Sequence, residues 1–313
     1  MQNKRDLLSI SDFSQQEIWD LLLLARELKK NPTQNSLAGK TVGLIFQKPS
    51  TRTTVSFAVG IVQLGGVPLI LNADVLQIKR GESPKDTGRV LSRYLAAIVM
   101  RASSHRELSE LATYASIPVI NGLTEEEHPC QVLADLLTIM EHRKMDHPKQ
   151  LQGFRLSYLG DGNNVAHSWM LAAGILGIQF TLACPIGYEP KKEFLNRARS
   201  FLKEGSAQIR VTGDPVSAVN GADAVYTDVW TSMGQESEIQ NRKVAFAAYQ
   251  LNRSILGHAS KEALVMHCLP AHRGEEITEE VMEGPNSVIF DQAENRLHVQ
   301  KAILVTLLAK NKK

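Results

Sequence analysis

A run of hydroxyls around one arginine, Lys48-Pro49-Ser50-Thr51-Arg52-Thr53-Thr54, follows closely on an apolar segment, Thr41 to Phe46. The apolar segment reads as a buried strand. After the run, Val55, Ala58, Val59 and Val62 recur at helical spacing. Ser50, Thr51, Arg52 and Thr53 therefore stand where a strand hands over to a helix N-terminus. Free backbone N–H groups and the helix dipole favour an anion at such a place. The hydroxyls and the guanidinium add donors and a fixed positive fork, a match for a phosphate. Taken alone, the run also reads as an ordinary N-cap, Ser50 after Pro49, beside a surface arginine.

Further polar clusters close other apolar runs. Arg101 ends one, and His128-Pro129-Cys130-Gln131 follows another after a short acidic loop. Asp161-Gly162-Asn163-Asn164, Asp228 to Gly234 and His267-Cys268-Leu269-Pro270 each follow a further run. Singly they say little. Arg101 also fits a surface charge, His128 a capped loop histidine, and Cys268 a small buried apolar residue. Gly160 to Asn164 lacks the G-x-G-x-x-G spacing of a dinucleotide site. His267 and His272 lie five apart around a proline, so they are not an H-E-x-x-H zinc pair. Cys130 and Cys184 read as structural. The shared position of the clusters says more, because open α/β sheets bind ligands at the carboxyl ends of their strands.

The elements that must position them alternate along the chain. Strands are expected at 41–46, 67–72, 96–101 and 117–121, with helical patterns at Thr87 to Tyr94, Glu107 to Ala115 and Val132 to about Arg143. The charged, proline-containing stretch Lys144 to Gln150 breaks the pattern and reads as a domain boundary. Strands follow at 154–159, 179–184, 208–212, 224–230, 263–269 and 288–290. A last helix runs from His298 to about Lys310, with Ile303, Leu304, Leu307 and Leu308 on one face. Such alternation predicts an α/β protein of two doubly wound domains with parallel sheets.

Composition narrows the setting. With 313 residues, 43% hydrophobic and 22% charged, the chain is long enough for two such domains. A net charge of +2 gives no basis for a nucleic-acid or membrane surface built on bulk charge. Three cysteines without a CxxC suggest a reducing compartment. No signal peptide or membrane-length apolar run is apparent, so the expected location is the cytoplasm.

Taken together, several motifs resemble those of the aspartate/ornithine carbamoyltransferase family. They are Lys48 to Thr53, His128-Pro129-Cys130-Gln131 with Asp135, Asp228-Val229-Trp230 leading to Ser232-Met233-Gly234, and His267-Cys268-Leu269-Pro270-Ala271 with Arg273-Gly274. The resemblance covers nearly the whole chain in order. The last two motifs point to the ornithine branch. An aspartate enzyme would lack the Ser-Met-Gly and the cysteine, and a putrescine enzyme would be expected to lack the Ser-Met-Gly.

The resemblance implies transfer of a carbamoyl group from carbamoyl phosphate to the δ-amino group of L-ornithine, giving L-citrulline and phosphate in arginine metabolism. It implies a carbamoyl phosphate domain at 1–146, with the helix at about 297–313 packing back on it. An ornithine domain would occupy 147–296, and the active site the cleft between them. Ser50, Thr51, Arg52, Thr53 and Arg101 would hold the phosphate. His128 and Thr53 would donate to the carbonyl oxygen, while Gln131 and the Leu269 carbonyl would bond the carbamoyl NH₂. Gln77 and Arg296 match further carbamoyl phosphate contacts, Gln77 reaching across from a neighbouring subunit of a homotrimer or a multiple of trimers. Asn164, Asp228, Ser232 and Met233 would bind ornithine. Cys268 would lie near both substrates and position or deprotonate the amine, without forming a covalent intermediate. Arg52, Arg101, His128 and Cys268 are thus the expected catalytic residues, and no metal or organic cofactor is implied.

One departure stands out. The family usually reads S-T-R-T-R-x-S-F-E, whereas this chain has Thr54 and Ala58 in place of the second arginine and the acid. Four residues apart on a helix, those two would form an ion pair on one face. Their joint loss suggests a missing structural pair, and alternatively a weakened phosphate site. Two other readings compete. One is a non-catalytic paralogue that binds phosphate-bearing metabolites, invited by Thr54 alone. The other is a dehydrogenase, disfavoured for want of the glycine fingerprint.

Overall fold

The computed structural model describes residues 4–72, 76–77, 81–202, 207–231 and 236–308. It divides into two units, Met1–Leu137 with Glu294–Lys313, and Thr138–Ala293.

Unit 1 begins with α1 (Gln15–Lys30), whose first turn is closed by a reciprocal capping box between Ser14 and Glu17. Then come β1 (Thr41–Phe46), α2 (Thr51–Gln63), β2 (Val67–Asn72), α3 (Pro84–Leu91), β3 (Ala97–Arg101), α4 (His105–Tyr114), β4 (Val119–Leu123) and α5 (Pro129–His142). Among the described residues its sheet has four strands in the order β2-β1-β3-β4, and every pairing is parallel. The chain winds outward from β1 to β2, then crosses to β3 and β4, so the switch point lies between β1 and β3. Ser50 and Arg101 follow or end the two strands that flank it.

Unit 2 takes up the end of α5, then β5 (Arg155–Leu159), α6 (Asn164–Leu176), β6 (Gln179–Ala183), α7 (Lys192–Ser200), β7 (Ile209–Thr212), α8 (Pro215–Val219), β8 (Ala224–Thr227), α9 (Ile239–Phe246), α10 (Arg253–Leu256), β9 (Leu264–His267) and α11 (Glu279–Met282). Its described sheet has five parallel strands in the order β7-β6-β5-β8-β9. The switch point falls between β5 and β8, the strands that lead into Asp161 and Asp228. Helix α12 (Ile289–Leu308) starts in unit 2 and continues into unit 1.

Packing inside unit 1 fixes the part of α12 that carries Arg296. A Cβ at Gly60 of α2 would come within 3.1 Å of Lys301 Cγ, so the glycine lets α12 approach closely. Lys301 is fully buried and donates to Leu28 O at 2.9 Å and Gln63 Oε1 at 2.9 Å, tying α12 to the ends of α1 and α2. Burial pushes its pKa down, which the carbonyl partners tolerate by accepting its donors.

Three expected elements end differently. The strand expected at 224–230 stops at Thr227, and that at 263–269 stops at His267, because the chain turns outward to present Asp228 and Cys268. No strand forms at 288–290. Ser287 bridges Val265 and Val288 N donates to Val265 O, after which α12 begins at Ile289. A short apolar run beside a sheet mimicked a strand there. No helix of the described residues is long and apolar enough to cross a membrane.

Candidate active site

The polar residues of unit 1 converge at the carboxyl end of its sheet. Ser50 caps α2, its hydroxyl accepting from Thr53 N–H at 3.3 Å. Thr51 opens the helix on its exposed side, Arg52 is half-buried and Thr53 is buried. Arg101 ends β3 where the pairing with β4 shifts register between Met100 and Arg101. Such a bulge re-aims a side chain at the rim of a sheet. The result is an arginine only 8% exposed at the mouth of the switch point.

His128, just before α5, is also buried. Its pKa is held well below the ordinary histidine value, first by burial and then by the charges of Arg296, Arg101 and Arg52. Three guanidinium charges thus act on one imidazole, and all favour its neutral form. Arg296 donates to Gln131 Oε1 at 2.7 Å and to Thr53 Oγ1 at 3.2 Å. Gln131 in turn donates to the buried Asp135 at 2.8 Å. With Thr53 Oγ1 accepting from Arg296, its own proton is free to point at a ligand.

A pH dependence follows. The folded chain refuses a proton that an unfolded histidine accepts below about pH 6.5. Stability attributable to His128 is therefore full above that value and is lost as pH falls, with a slope of at most about 1.4 kcal/mol per pH unit. Urea denaturation between pH 8 and pH 5 should show it, and His128→Asn should flatten the profile.

Thr54 has an evident local role. Its hydroxyl donates to Ser50 O at 2.7 Å, closing the first turn of α2 on itself. Thr54→Arg is expected to leave the carbamoyl phosphate KM within about twofold, since an exposed i,i+4 partner is worth only tenths of a kcal/mol. Steady-state kinetics check this, and a fall in KM of tenfold or more would show that the arginine strengthens the phosphate site.

Gln77 lies on an exposed turn, where its carbonyl accepts from Glu82 N–H. Among the described residues its side chain joins none of these groups.

Unit 2 gathers a second cluster. Asn163 caps α6, its Oδ1 accepting from Val165 N–H, Ala166 N–H and the Tyr158 hydroxyl. Three donors fix the amide's orientation, and Nδ2 then donates to Asp228 Oδ2 at 2.8 Å. Asp228 Oδ1 accepts from Val229 N–H at 2.8 Å and from the Cys268 thiol at 2.9 Å. The Tyr158 phenol is pushed well above its usual range by burial, with Asp228 and Cys268 adding to the effect. Asn164, the first residue of α6, is half-buried at the same turn. Ser232 and Met233 lie outside the described residues.

Leu269 follows Cys268 with φ +57, in the left-handed region that β-carbons disfavour, and precedes a cis proline. Its N–H donates to His267 Nδ1 at 2.8 Å, which leaves the ring proton on Nε2 to reach Glu276 Oε1 at 3.0 Å. Asp228, His267 and Cys268 present ligand atoms within 4.8 Å of one another. The short thiol–carboxylate contact already satisfies the first and third, and the His267 nitrogens are taken by Leu269 and Glu276.

Asn163 and His267 belong to polar clusters visible in the sequence, but their roles are not: Asn163, held by Tyr158, orients Asp228, and the His267–Glu276 pair holds Leu269. Arg242 of α9 donates to Asp161 and to the Trp230 carbonyl. Arg242 sits inside a helix, away from any strand end, so no local signal marked it.

Residues 5–141 match the family model described as the carbamoyl-P binding domain of aspartate/ornithine carbamoyltransferase. Residues 152–307 match its Asp/Orn binding domain. The ornithine carbamoyltransferase of Anoxybacillus flavithermus is 53% identical over 308 residues, covering 97% of this chain and 96% of that one. That of Geobacillus stearothermophilus is 52% identical, with 97% of each chain covered. Among solved structures, the Pyrococcus furiosus ornithine carbamoyltransferase superposes with a TM-score of 0.91 at 48% identity, covering 96% of both chains. The anabolic enzyme of Campylobacter jejuni gives 0.91 at 40% identity, over 97% of this chain and 98% of that one. Two domain models matched in order, and relatives more than half identical along almost the full length, leave one assignment: the chain belongs to the aspartate/ornithine carbamoyltransferase family.

Proposed function

We infer that the protein transfers the carbamoyl group of carbamoyl phosphate to the δ-amino group of L-ornithine, giving L-citrulline and phosphate. The observation that carries this is that the charges of Arg52, Arg101 and Arg296 all act on the buried His128, with Arg52, Arg101 and His128 among the residues that match the carbamoyl phosphate-binding model. A site of that charge suits a dianion that must also leave as one.

The chemistry divides between the units. In unit 1, Ser50, Thr51, Arg52, Thr53 and Arg101 hold the phosphate. The Thr53 hydroxyl and a His128 N–H donate to the carbonyl oxygen, and Arg296 braces Thr53 and Gln131 from behind. A neutral imidazole suits this task, since it donates one hydrogen bond without adding a mobile proton. In unit 2, Asp228 accepts the α-ammonium of ornithine, with Asn164, Ser232 and Met233 completing its grip. The Leu269 carbonyl takes the carbamoyl NH₂. Cys268, already bonded to Asp228, positions the amine. The neutral δ-nitrogen attacks the carbonyl carbon, a C–N bond forms, the C–O bond to phosphate breaks with its electron pair going to the phosphate oxygen, and the departing phosphate takes the proton that the nitrogen gives up. No covalent enzyme intermediate is needed.

The assay is citrulline formation from carbamoyl phosphate and ornithine, with putrescine and aspartate in parallel. Ornithine turnover at least about 100-fold above the other two is expected, because putrescine has no α-carboxylate to grip and leaves the polar groups that would hold it unpaired. Equal turnover of putrescine would overturn the ornithine assignment.

The enzyme is further read as a homotrimer, or a multiple of trimers, in which Gln77 serves a neighbouring subunit's carbamoyl phosphate. What supports this is the edge of the unit 1 sheet. Strand β2 is the edge strand, yet Val67, Leu69 and Ile70 are exposed, as are Val55, Val59 and Val62 of the helix packed on it. The valines whose spacing announced α2 face outward, and Phe57 and Ile61 form its core side. Lone edge strands usually carry charge, and a continuous apolar patch of this kind marks an interface. Ile70→Glu is expected to shift the protein to a smaller species in sedimentation velocity and to cut activity at least about tenfold. Free thiols at Cys130 and Cys184, each pushed by burial to about 12, fit a reducing cytoplasm, and citrulline formation there would serve arginine metabolism.

A further inference from the structure

We propose that Arg242 is a positioning residue for ornithine, cross-linking the two turns of unit 2 that carry Asn163 and Asn164 on one side and Asp228 on the other. The role rests on the reading that unit 2 takes ornithine.

The guanidinium is nearly enclosed, its side chain only 7% exposed. Nη1 donates to Asp161 Oδ2 at 2.7 Å and to the Trp230 carbonyl at 2.9 Å. Nε donates to Glu238 Oε2 at 2.8 Å, and the planar group lies over the Tyr188 ring at 4.9 Å from its centroid. Asp161 stands two residues before Asn163 in the β5–α6 turn, and Trp230 two residues after Asp228 in the chain leaving β8. One planar cation thus bonds the backbone or side chain of both turns at once. Gly162, between Asp161 and Asn163, is held so closely that a Cβ there would lie 2.3 Å from Pro190 N, so the turn has little room to settle elsewhere.

The chemistry of Asp161 separates this role from a plain structural salt bridge. Burial pushes its carboxyl upward and the nearby Asp228 adds to that, while Arg242 pulls it back. Without Arg242, the Asp161 carboxylate is buried, unpaired and near a second carboxylate, so it takes a proton at higher pH. The turn then loses a charge as well as a brace. A lysine reaches one of the three acceptors and lacks the fork, so it should rescue only in part.

The test uses the full-length enzyme with Arg242→Gln, Arg242→Lys, Asp161→Asn and the Asp161→Asn/Arg242→Gln double variant. Ornithine KM, carbamoyl phosphate KM, melting temperature and the pH profile of kcat/KM for ornithine are read for each. Arg242→Gln is expected to raise ornithine KM by about 100-fold, the scale of an ångström of misplacement, with carbamoyl phosphate KM within about twofold. A new acid limb should appear, at higher pH than any the unaltered enzyme shows, and Arg242→Lys should fall between. The double variant should regain melting temperature and lose the acid limb, yet keep the raised ornithine KM. The role is overturned if Arg242→Gln binds ornithine like the unaltered enzyme, or if ornithine KM recovers together with stability in the double variant. Absence of citrulline from the unaltered enzyme would sink the ornithine reading and this role with it, and is told apart because it needs no substitution.

Discussion

Arg101→Met is expected to lower kcat/KM for carbamoyl phosphate by about 1000-fold, the upper end of what loss of one preorganised donor costs. The arginine is 8% exposed, its backbone is locked by the bulge at the end of β3, and its carbonyl accepts from Gln47 N–H at 3.0 Å. Methionine keeps roughly the volume while removing the charge. Arg101→Lys should recover about tenfold of the loss, because an ammonium restores the charge without the two-pronged geometry. The same substitution has a spectroscopic signature. Arg101 is one of the three charges that hold His128 below its ordinary pKa. Removing it should move the His128 titration, followed by imidazole NMR, toward higher pH. A loss under tenfold, with the histidine titration unmoved, would show that Arg101 serves the sheet rather than the phosphate.

The sequence carried the frame of this site and less of its bracing. Strand-to-helix handovers are local. An apolar run, a hydroxyl cap and a helical period lie within a dozen residues, so Ser50 to Thr53, His128 and Gln131, and Asp161 to Asn164 could be placed at the carboxyl ends of strands. The doubly wound class followed from alternation alone. What makes those residues a site is long-range. Arg296 reaches Thr53 across 243 positions and Gln131 across 165. Arg242 reaches Asp161 across 81. No periodicity encodes such pairings, and Arg296 was legible only through family resemblance. The misplaced strand at 288–290 has the same origin. A single rung of pairing with Val265 and a short apolar run look alike in sequence, and only the neighbouring sheet decides between strand and helix start. Thr54 shows the reverse case, a departure conspicuous in sequence that the structure reduces to one hydroxyl bonded to Ser50 O.

The second large effect concerns the acceptor end. Asp228→Asn is expected to lower kcat/KM for ornithine by about 1000-fold while leaving carbamoyl phosphate binding unchanged. The carboxylate is 6% exposed, and its oxygens are aimed by Asn163 Nδ2, Val229 N–H and the Cys268 thiol. An ammonium arriving there meets a charge that cannot turn away, and truncating one partner of such a buried pair costs several kcal/mol. Asparagine has the same shape, but its amide must set either a donor against the Asn163 donor or lose the bond to Val229. The variant therefore tests charge and orientation together, and Asp228→Glu should not rescue, since its longer stem breaks the same three bonds. Putrescine keeps an ammonium where ornithine has its α-ammonium and lacks only the carboxylate, so any putrescine turnover should fall in parallel. A separate readout is the reactivity of Cys268. In the unaltered protein a thiolate there would form 2.9 Å from the Asp228 carboxylate, which opposes its formation. With that charge removed, alkylation by iodoacetamide at neutral pH should quicken severalfold. If ornithine turnover collapses while alkylation is unchanged, Asp228 grips the substrate without governing the thiol. If alkylation quickens while ornithine kinetics hold, the α-ammonium is bound elsewhere and the assignment of Asp228 falls.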